Sequence, residues 1–385
     1  MALVAAFALT ACGGSSDSSS SAGTTESDAA PNEEGTTENA ASRGSSEVVA
    51  AAEKAAAPFF EPPKSIGITE PLKETPPTGK KIVAMACTQS PGCKQFTEHV
   101  EEAAGLLGWS TKRSLFTGAP EDNLNKITAA VQEHPDAIVL LGAAQETYEA
   151  AAELAAKEGV PIATVAAEGE EKEPFIAVTA GARQFEELAE VTANWFIAES
   201  EGKGNAITIA YAQFPVSERI IERTDKTIEE KCPECSAKEV LVQAEDTGTK
   251  LPSTIVSELQ SDPDINYVIF QDVAMIPGVE AALREAGLQD KVKLMANNSS
   301  DESIKAVEEG AMVGNNAYSL KATTYQAIDA VARYLEGMPT KETAEAPLMS
   351  QIFTQENLPP GSTQEDTEEL PTNLVEQYEE LWKLK

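Results

Sequence analysis

Five cysteines and two histidines are the residues of this 385-residue chain best able to do chemistry, and their spacing restricts what it can be. Cys12 closes a short apolar run, MALVAAFALTA, in the tetrad Leu9-Thr10-Ala11-Cys12. Small residues before a cysteine let a signal peptidase approach the backbone, and the thiol then becomes the site of lipid attachment. Residues 1–12 are therefore expected to be a signal peptide ending in a lipobox. The run is too short to cross a hydrocarbon core about 30 Å thick. No Lys or Arg precedes Arg43, so the basic start of a signal peptide is missing and translation is expected to begin upstream of Met1. In an exported chain the remaining Cys87, Cys93, Cys232 and Cys235 are expected to form disulfides, and proximity favours Cys87–Cys93 and Cys232–Cys235. Cys232-Pro-Glu-Cys235 has the spacing of a thiol redox motif, but that chemistry wants its first cysteine at a helix N-terminus, where the thiol pKa falls. Here the motif follows a helical stretch, 217–231, and precedes a strand, 238–243, so it reads as a structural staple. His99 and His134 stand at no ligand spacing from the cysteines, and no metal is expected. The chain has no Gly-rich phosphate loop, nucleophile elbow or histidine-centred triad, so it reads as a non-enzyme without catalytic residues or cofactor.

A formal charge of −34 sets the chain against nucleic-acid phosphates and anionic headgroups, leaving the lipid on Cys12 as its only expected contact with a membrane. Residues 13–46 are Gly, Ser, Thr and Glu without apolar periodicity. Such a segment cannot bury enough surface to offset its ordering entropy and is expected to be a disordered tether. Residues 47–79 form an Ala-rich helix and then a Pro-rich extended arm, in which Phe59, Phe60 and Ile66 suggest packing on the folded part.

From Lys80 the pattern alternates short apolar runs with amphipathic stretches. Strands are expected at 81–86, 111–116, 137–142, 160–166 and 175–180, with helices at 95–107, 120–133 and 145–158. A second series follows, with helices at 183–201, 217–231, 250–260, 277–287, 300–309, 320–336 and 372–383. Its strands are 206–212, 238–243, 267–270, 292–296, 311–315 and 349–354. Strand–helix alternation implies an α/β fold with parallel sheets flanked by helices.

Several stretches, in this order, resemble the type I periplasmic binding proteins of ABC transporters, in the branch related to ribose- and galactose-binding proteins. They are EDNLNKITAAVQEHPDAIVLLG (121–142), EGVPIATV (158–165), INYVIFQDVAMIPGVEAALREAGL (265–288), VKLMANNSSDESIKAVEEG (292–310), KATTYQAIDAVARYLEG (321–337) and IFTQENL (352–358). The resemblance implies two Rossmann-like lobes joined by three hinge crossings. Lobe one would hold 80–180 with 319–346, and lobe two 181–318 with 347–385. It also implies an extracytoplasmic protein, lipid-anchored to the outer face of the cell membrane, that captures a small sugar-like molecule and passes it to an ABC permease. A ligand-sensing role in a signalling system is the alternative. No basic helix-turn-helix occupies 13–80, which sets aside the repressors of related fold.

Ligand is expected where loops at the carboxyl ends of the parallel strands converge. In lobe one, Thr88 and Gln89 offer hydrogen bonds, Phe96 a stacking face, and Gln145 lies in the loop after AIVLLG. Gln213 and Phe214 follow AITIAYA. Asp272 follows YVIF, where the resembled family often carries Asp or Asn, and Asn297 follows VKLMA, where its sugar binders often carry Asp. Tyr318 falls near the family's glutamine before the long helix. A cleft arginine is expected near Arg219 and Arg223, neither of which matches cleanly. With Asn at 297, a neutral polyol, a modified sugar or an aromatic compound all remain open as ligands.

Overall fold

Short, wholly apolar segments such as Ala137–Leu141 are buried along their full length, as strands covered on both faces must be. The computed structural model describes residues 46–88 and 91–385; Cys12, the tether to residue 45 and Gln89 lie outside the described residues. The first sheet is built from β1 (Lys81–Cys87), β2 (Ser110–Phe116), β3 (Ala137–Leu141), β4 (Ile162–Val165) and β5 (Phe175–Thr179), in the order β2-β1-β3-β4-β5. All its pairings are parallel. The second contains β6 (Asn205–Tyr211), β7 (Ser236–Val242), β8 (Tyr267–Phe270), β9 (Lys293–Asn297), β10 (Gly314–Tyr318) and β11 (Ser350–Thr354), in the order β11-β10-β9-β8-β6-β7. Only the β10–β11 pairing is antiparallel among the described strands. In each sheet the chain leaves its first strand on one side and resumes on the other. That switch opens a crevice at the carboxyl ends, between β1 and β3 and between β6 and β8.

Helices cover both sheets. The first, α1 (46–56), precedes the alternating strands and helices, followed by α2 (Pro91–Leu106), α3 (Pro120–Gln132), α4 (Glu149–Glu158), α5 (Ala182–Glu199) and α6 (Pro215–Lys231). Then come α7 (Leu251–Ser261), α8 (Val279–Ala286), α9 (Asp301–Glu308), α10 (Leu320–Leu335), α11 (Lys341–Ala344), α12 (Gln364–Glu368) and α13 (Leu374–Leu381). Pro120 and Pro215 start α3 and α6, where a missing N–H costs nothing. Gly159 and Gly287 end α4 and α8 in the left-handed conformation. Helix α10 packs on β3, β4 and β5 of the first sheet, whereas α5 packs on α6 in the second lobe.

Three departures from expectation matter. Strand β10 is Gly314–Tyr318, three residues later than the apolar run 311–315 suggests, so Tyr318 ends a strand. The last helix does not join lobe two. Tyr378 and Trp382 of α13 pack on Tyr325 of α10, and the Trp382 Nε1–H donates to Asp329 at 2.9 Å. Residues 359–371 therefore make a further crossing beyond the expected three. The N-terminal arm crosses too. Ala52 and Ala56 pack with Trp195 and Phe196 of α5, while Ile66 and Leu72 are buried in the cluster that contains α13, and the Leu72 N–H donates to Leu381 O. Apolar residues of the later part of the arm and of α13 thus share one cluster with α10, a helix buried nearly all round.

Candidate functional site

The carboxyl ends of the second sheet gather polar and aromatic groups. Asp272 follows β8 and caps the short 3-10 turn Val273–Met275, its Oδ1 accepting the Ala274 N–H at 2.8 Å. Asn298 Nδ2 donates to its other oxygen at 3.2 Å. Burial pushes the Asp272 carboxyl upward, and these two hydrogen bonds pull against it. Tyr211, the last residue of β6, donates to or accepts from Thr247 Oγ1 at 3.0 Å and meets Phe214 edge-on, with centroids 5.8 Å apart. Phe214 is 41% exposed, so its ring is open to a ligand face. Tyr318 meets Phe185 edge-on at 5.7 Å. Burial raises both tyrosines, and the Asp272 charge raises each further, so both hydroxyls lie within the field of that carboxylate.

The strand's two-residue period decides between two neighbouring asparagines. Asn297, the last residue of β9, is fully buried and turned towards α5, where the Thr192 hydroxyl donates to its Oδ1 at 2.6 Å. Asn316 Nδ2 reaches the same Thr192 oxygen at 2.9 Å. Asn297 Oδ1 is thus held under α5 while its buried Nδ2 has no hydrogen-bond partner in the protein, and Asn298, in the left-handed conformation, takes the place beside Asp272.

Lobe one changes more of the expected set. Thr88 is exposed at the end of β1, and the partner position Gln89 lies outside the described residues. Phe96 is fully buried. With Val100, Ala103 and Ala104 it forms the core-facing stripe of α2, so it offers no stacking face. Gln145 uses its amide twice on the loop after β4, donating to Glu170 O at 3.2 Å and accepting the Glu170 N–H at 3.0 Å, and it acts as a loop clamp. Gln213 is exposed and accepts the Ala244 N–H at 3.3 Å.

Two further charged groups lie near these strand ends: Arg219, near which a cleft arginine was expected, and Glu368, which was not expected. Arg219 of α6 reaches across to Glu168, in the loop after β4, with Nε to Oε1 at 2.8 Å. Its place one helical turn beyond Phe214 was the available signal. Arg223, one turn further, is spent on Glu190 of α5. Glu368 of α12 is buried beside Tyr318, and nothing in the acidic run TQEDTEEL separates it from a solvated face.

The cysteines pair as Cys87–Cys93 and Cys232–Cys235. Cys232 is the residue that ends α6, so its sulfur gains nothing from a helix N-terminus. Burial lowers His99 to about 4, against the pull of Glu102, so its ring is neutral. His134 is exposed near Glu158, its Nδ1 3.9 Å from Glu158 Oε2. Among the described residues, no group of three or more His, Cys, Asp or Glu is arranged to hold a metal ion, and no helix is long and apolar enough to cross a membrane.

Residues 82–339 match the family model described as the periplasmic binding protein domain. The chain belongs to that family. Among curated proteins none matches this binding protein in sequence. Solved structures of similar fold include an ABC transporter solute-binding protein from Agrobacterium vitis with bound allitol. It is 16% identical with a TM-score of 0.63, the alignment covering 73% of this chain and 97% of that one. A solute-binding protein from Burkholderia graminis in complex with D-arabinose is 15% identical with a TM-score of 0.63, covering 76% and 100%. The XylFII–LytSN complex is 15% identical with a TM-score of 0.63, covering 73% and 100%. Likeness at these identities concerns the fold of the binding protein, and its ligand must be argued from its own residues.

Proposed function

We propose that this binding protein captures a neutral sugar or polyol between its lobes and presents it, unchanged, to an ABC permease outside the cytoplasm. The observation that carries this reading is the Asp272–Asn298 pair at the end of β8, together with the exposed Phe214 ring that meets Tyr211 at the end of β6. A carboxylate that accepts, an amide that can both donate and accept, and an aromatic face match the alternating hydroxyls and C–H face of a sugar. The sugars in the solved relatives point the same way. Arg219 and Glu168 already join the two lobes at 2.8 Å, and a ligand drives closure only to the extent that it prefers the closed form.

The test is a thermal-shift screen of pentoses, hexoses and polyols, beginning with allitol and D-arabinose, followed by calorimetry and mass spectrometry of the bound species. A ligand at 100 times its Kd adds about 2.7 kcal/mol of stability. A screen in which no sugar or polyol shifts the transition refutes the reading, and release of an altered product refutes the absence of chemistry. We further propose that Cys12 carries the lipid anchor. Cys12→Ala then moves the protein from the membrane fraction to the soluble one, and an unchanged distribution refutes the anchor. A second reading, in which the loaded protein engages a receptor instead of a permease, is in keeping with one structure of similar fold being a complex, XylFII–LytSN. Ligand-dependent capture of permease components supports the first reading; capture of a sensor protein supports the second.

A further inference from the structure

The crossing at 359–371 lies beyond the residues matched by the family model, yet its helix α12 packs on β10 and α10. Ser319 Oγ donates to Glu368 O at 2.5 Å, and the Thr367 and Ser299 hydroxyls lie 2.6 Å apart. Ser299 directly follows Asn298, the partner of Asp272, so α12 is fixed at the mouth of β9 and β10. On the other side, Gln364 Nε2 reaches Gln95 Oε1 of α2 at 3.3 Å and Glu368 Oε1 at 2.8 Å, which joins this segment to lobe one. Glu368 itself is 4% exposed, and its Oε2 has no hydrogen-bond partner in the protein. A buried carboxyl oxygen in that condition is costly, and such atoms ordinarily have a role that supplies the missing partner. Burial raises the Tyr318 hydroxyl, and the charges of Asp272 and Glu368 raise it further.

We propose that Glu368 contacts the ligand, its unpartnered Oε2 hydrogen-bonding a hydroxyl of a neutral sugar or polyol. The proposal rests on the sugar-binding reading above and adds to the site a residue from a crossing that strand-end loops do not supply. Burial pushes this carboxyl up to about 7. Gln364, the Lys321 backbone and the Lys321 ammonium pull it down, and Glu365 pushes it up. The Lys321 ammonium is itself held by Glu102 of α2 and Glu369. Closing a neutral ligand over Asp272 and Glu368 removes water from both carboxyls. That favours the neutral acid at Glu368, which then donates to the ligand.

The experiment is calorimetry of the mature chain with allitol, D-arabinose and the other screened sugars, from pH 5.5 to 8.5, for wild type, Glu368→Gln and Glu368→Ala. Glu368→Ala is expected to weaken the tightest sugar roughly tenfold or more, the loss typical of a buried hydrogen bond to an ionisable group. Glu368→Gln, an uncharged mimic of the acid, is expected to bind within about threefold of wild type at pH 6. Wild-type affinity should fall above pH 7 by up to about tenfold per pH unit, and Glu368→Gln, which keeps only the Asp272 carboxyl, should fall less steeply. Glu368→Ala binding within about twofold of wild type overturns the proposal alone. So do matching pH profiles for wild type and Glu368→Gln, which decide the matter if the alanine variant does not fold. If no sugar binds wild type, the sugar reading falls and this proposal falls with it.

Discussion

Replacing Asp329 by alanine should destabilise the protein far more than its sequence spacing suggests. Asp329 and Arg333 stand four residues apart on α10, and an exposed pair at that spacing is worth about 0.3–0.5 kcal/mol. Here both side chains are 0% exposed, with Arg333 Nε donating to Asp329 Oδ2 at 2.6 Å. Thr343 donates to the same oxygen at 2.5 Å, and the Trp382 indole donates to the other at 2.9 Å. Arg333 Nη2 continues to Glu70 O at 2.5 Å, so one carboxylate organises α10, α11, α13 and the N-terminal arm. Without it, a buried guanidinium loses its counter-charge, at a cost of roughly 3–5 kcal/mol. The orphaned Thr343 and Trp382 donors fall within the upper part of that range, because they belong to one network and do not add independently. Urea unfolding followed by tryptophan fluorescence measures the loss, and proteolysis of the C-terminal helix reports whether α13 is released first. The double variant Asp329→Leu with Arg333→Met removes both charges and should be more stable than Asp329→Ala alone. A single-variant loss below about 1 kcal/mol would show that this pair behaves as a surface pair and refute the reasoning.

Three further outcomes are expected. Asp272→Ala and Asn298→Ala should each weaken sugar binding with only the small loss of melting temperature that a lost cap or an alanine at positive φ brings, about 1 kcal/mol. Asn297→Ala should lower the melting temperature through the Thr192 network, and calorimetry with differential scanning separates the two patterns. Burial raises Asp225 to about 7, above its ordinary carboxylate value of 3.8, with Thr208 donating to one oxygen and the other unpartnered. Its neutral form is the favoured one, so its contribution is complete below the unfolded pKa and is lost as pH rises through about 7. Asp225→Asn should therefore melt higher than wild type at pH 8 and lose that advantage at pH 4; equal melting-temperature differences at both would sink the assignment. Arg219→Ala removes a pair whose side chains are 39% and 28% exposed, so affinity should fall only about two- to fivefold, less in high salt. A loss of about thirtyfold or more would mean that Arg219 touches the ligand itself.

The alternation of apolar runs and amphipathic stretches was enough to define the α/β class, because a buried parallel strand must be apolar throughout and its covering helices must carry a stripe. Six stretches in family order carried the resemblance to periplasmic binding proteins, and Asp272 and Phe214 could be picked out as residues just after buried strands. Strand ends were less secure. One residue separates Asn297 from Asn298, and a two-residue side-chain period sends one under α5 and the other towards Asp272. Phe96 and Gln145 look in sequence like residues available to a ligand, yet a helix stripe and a loop clamp use them. Arg219, Glu368 and the Asp329 network depend on segments distant in sequence being brought together. No local pattern encodes that Gln95 meets Gln364, or that Trp382 returns to α10. The sequence alone determined which segments would be strands and helices, since periodicity is a local property. Which polar side chains face a ligand, and which are buried with one another, was decided only when the two sheets and the chain ends packed, because burial and charge pairing are properties of the whole tertiary structure.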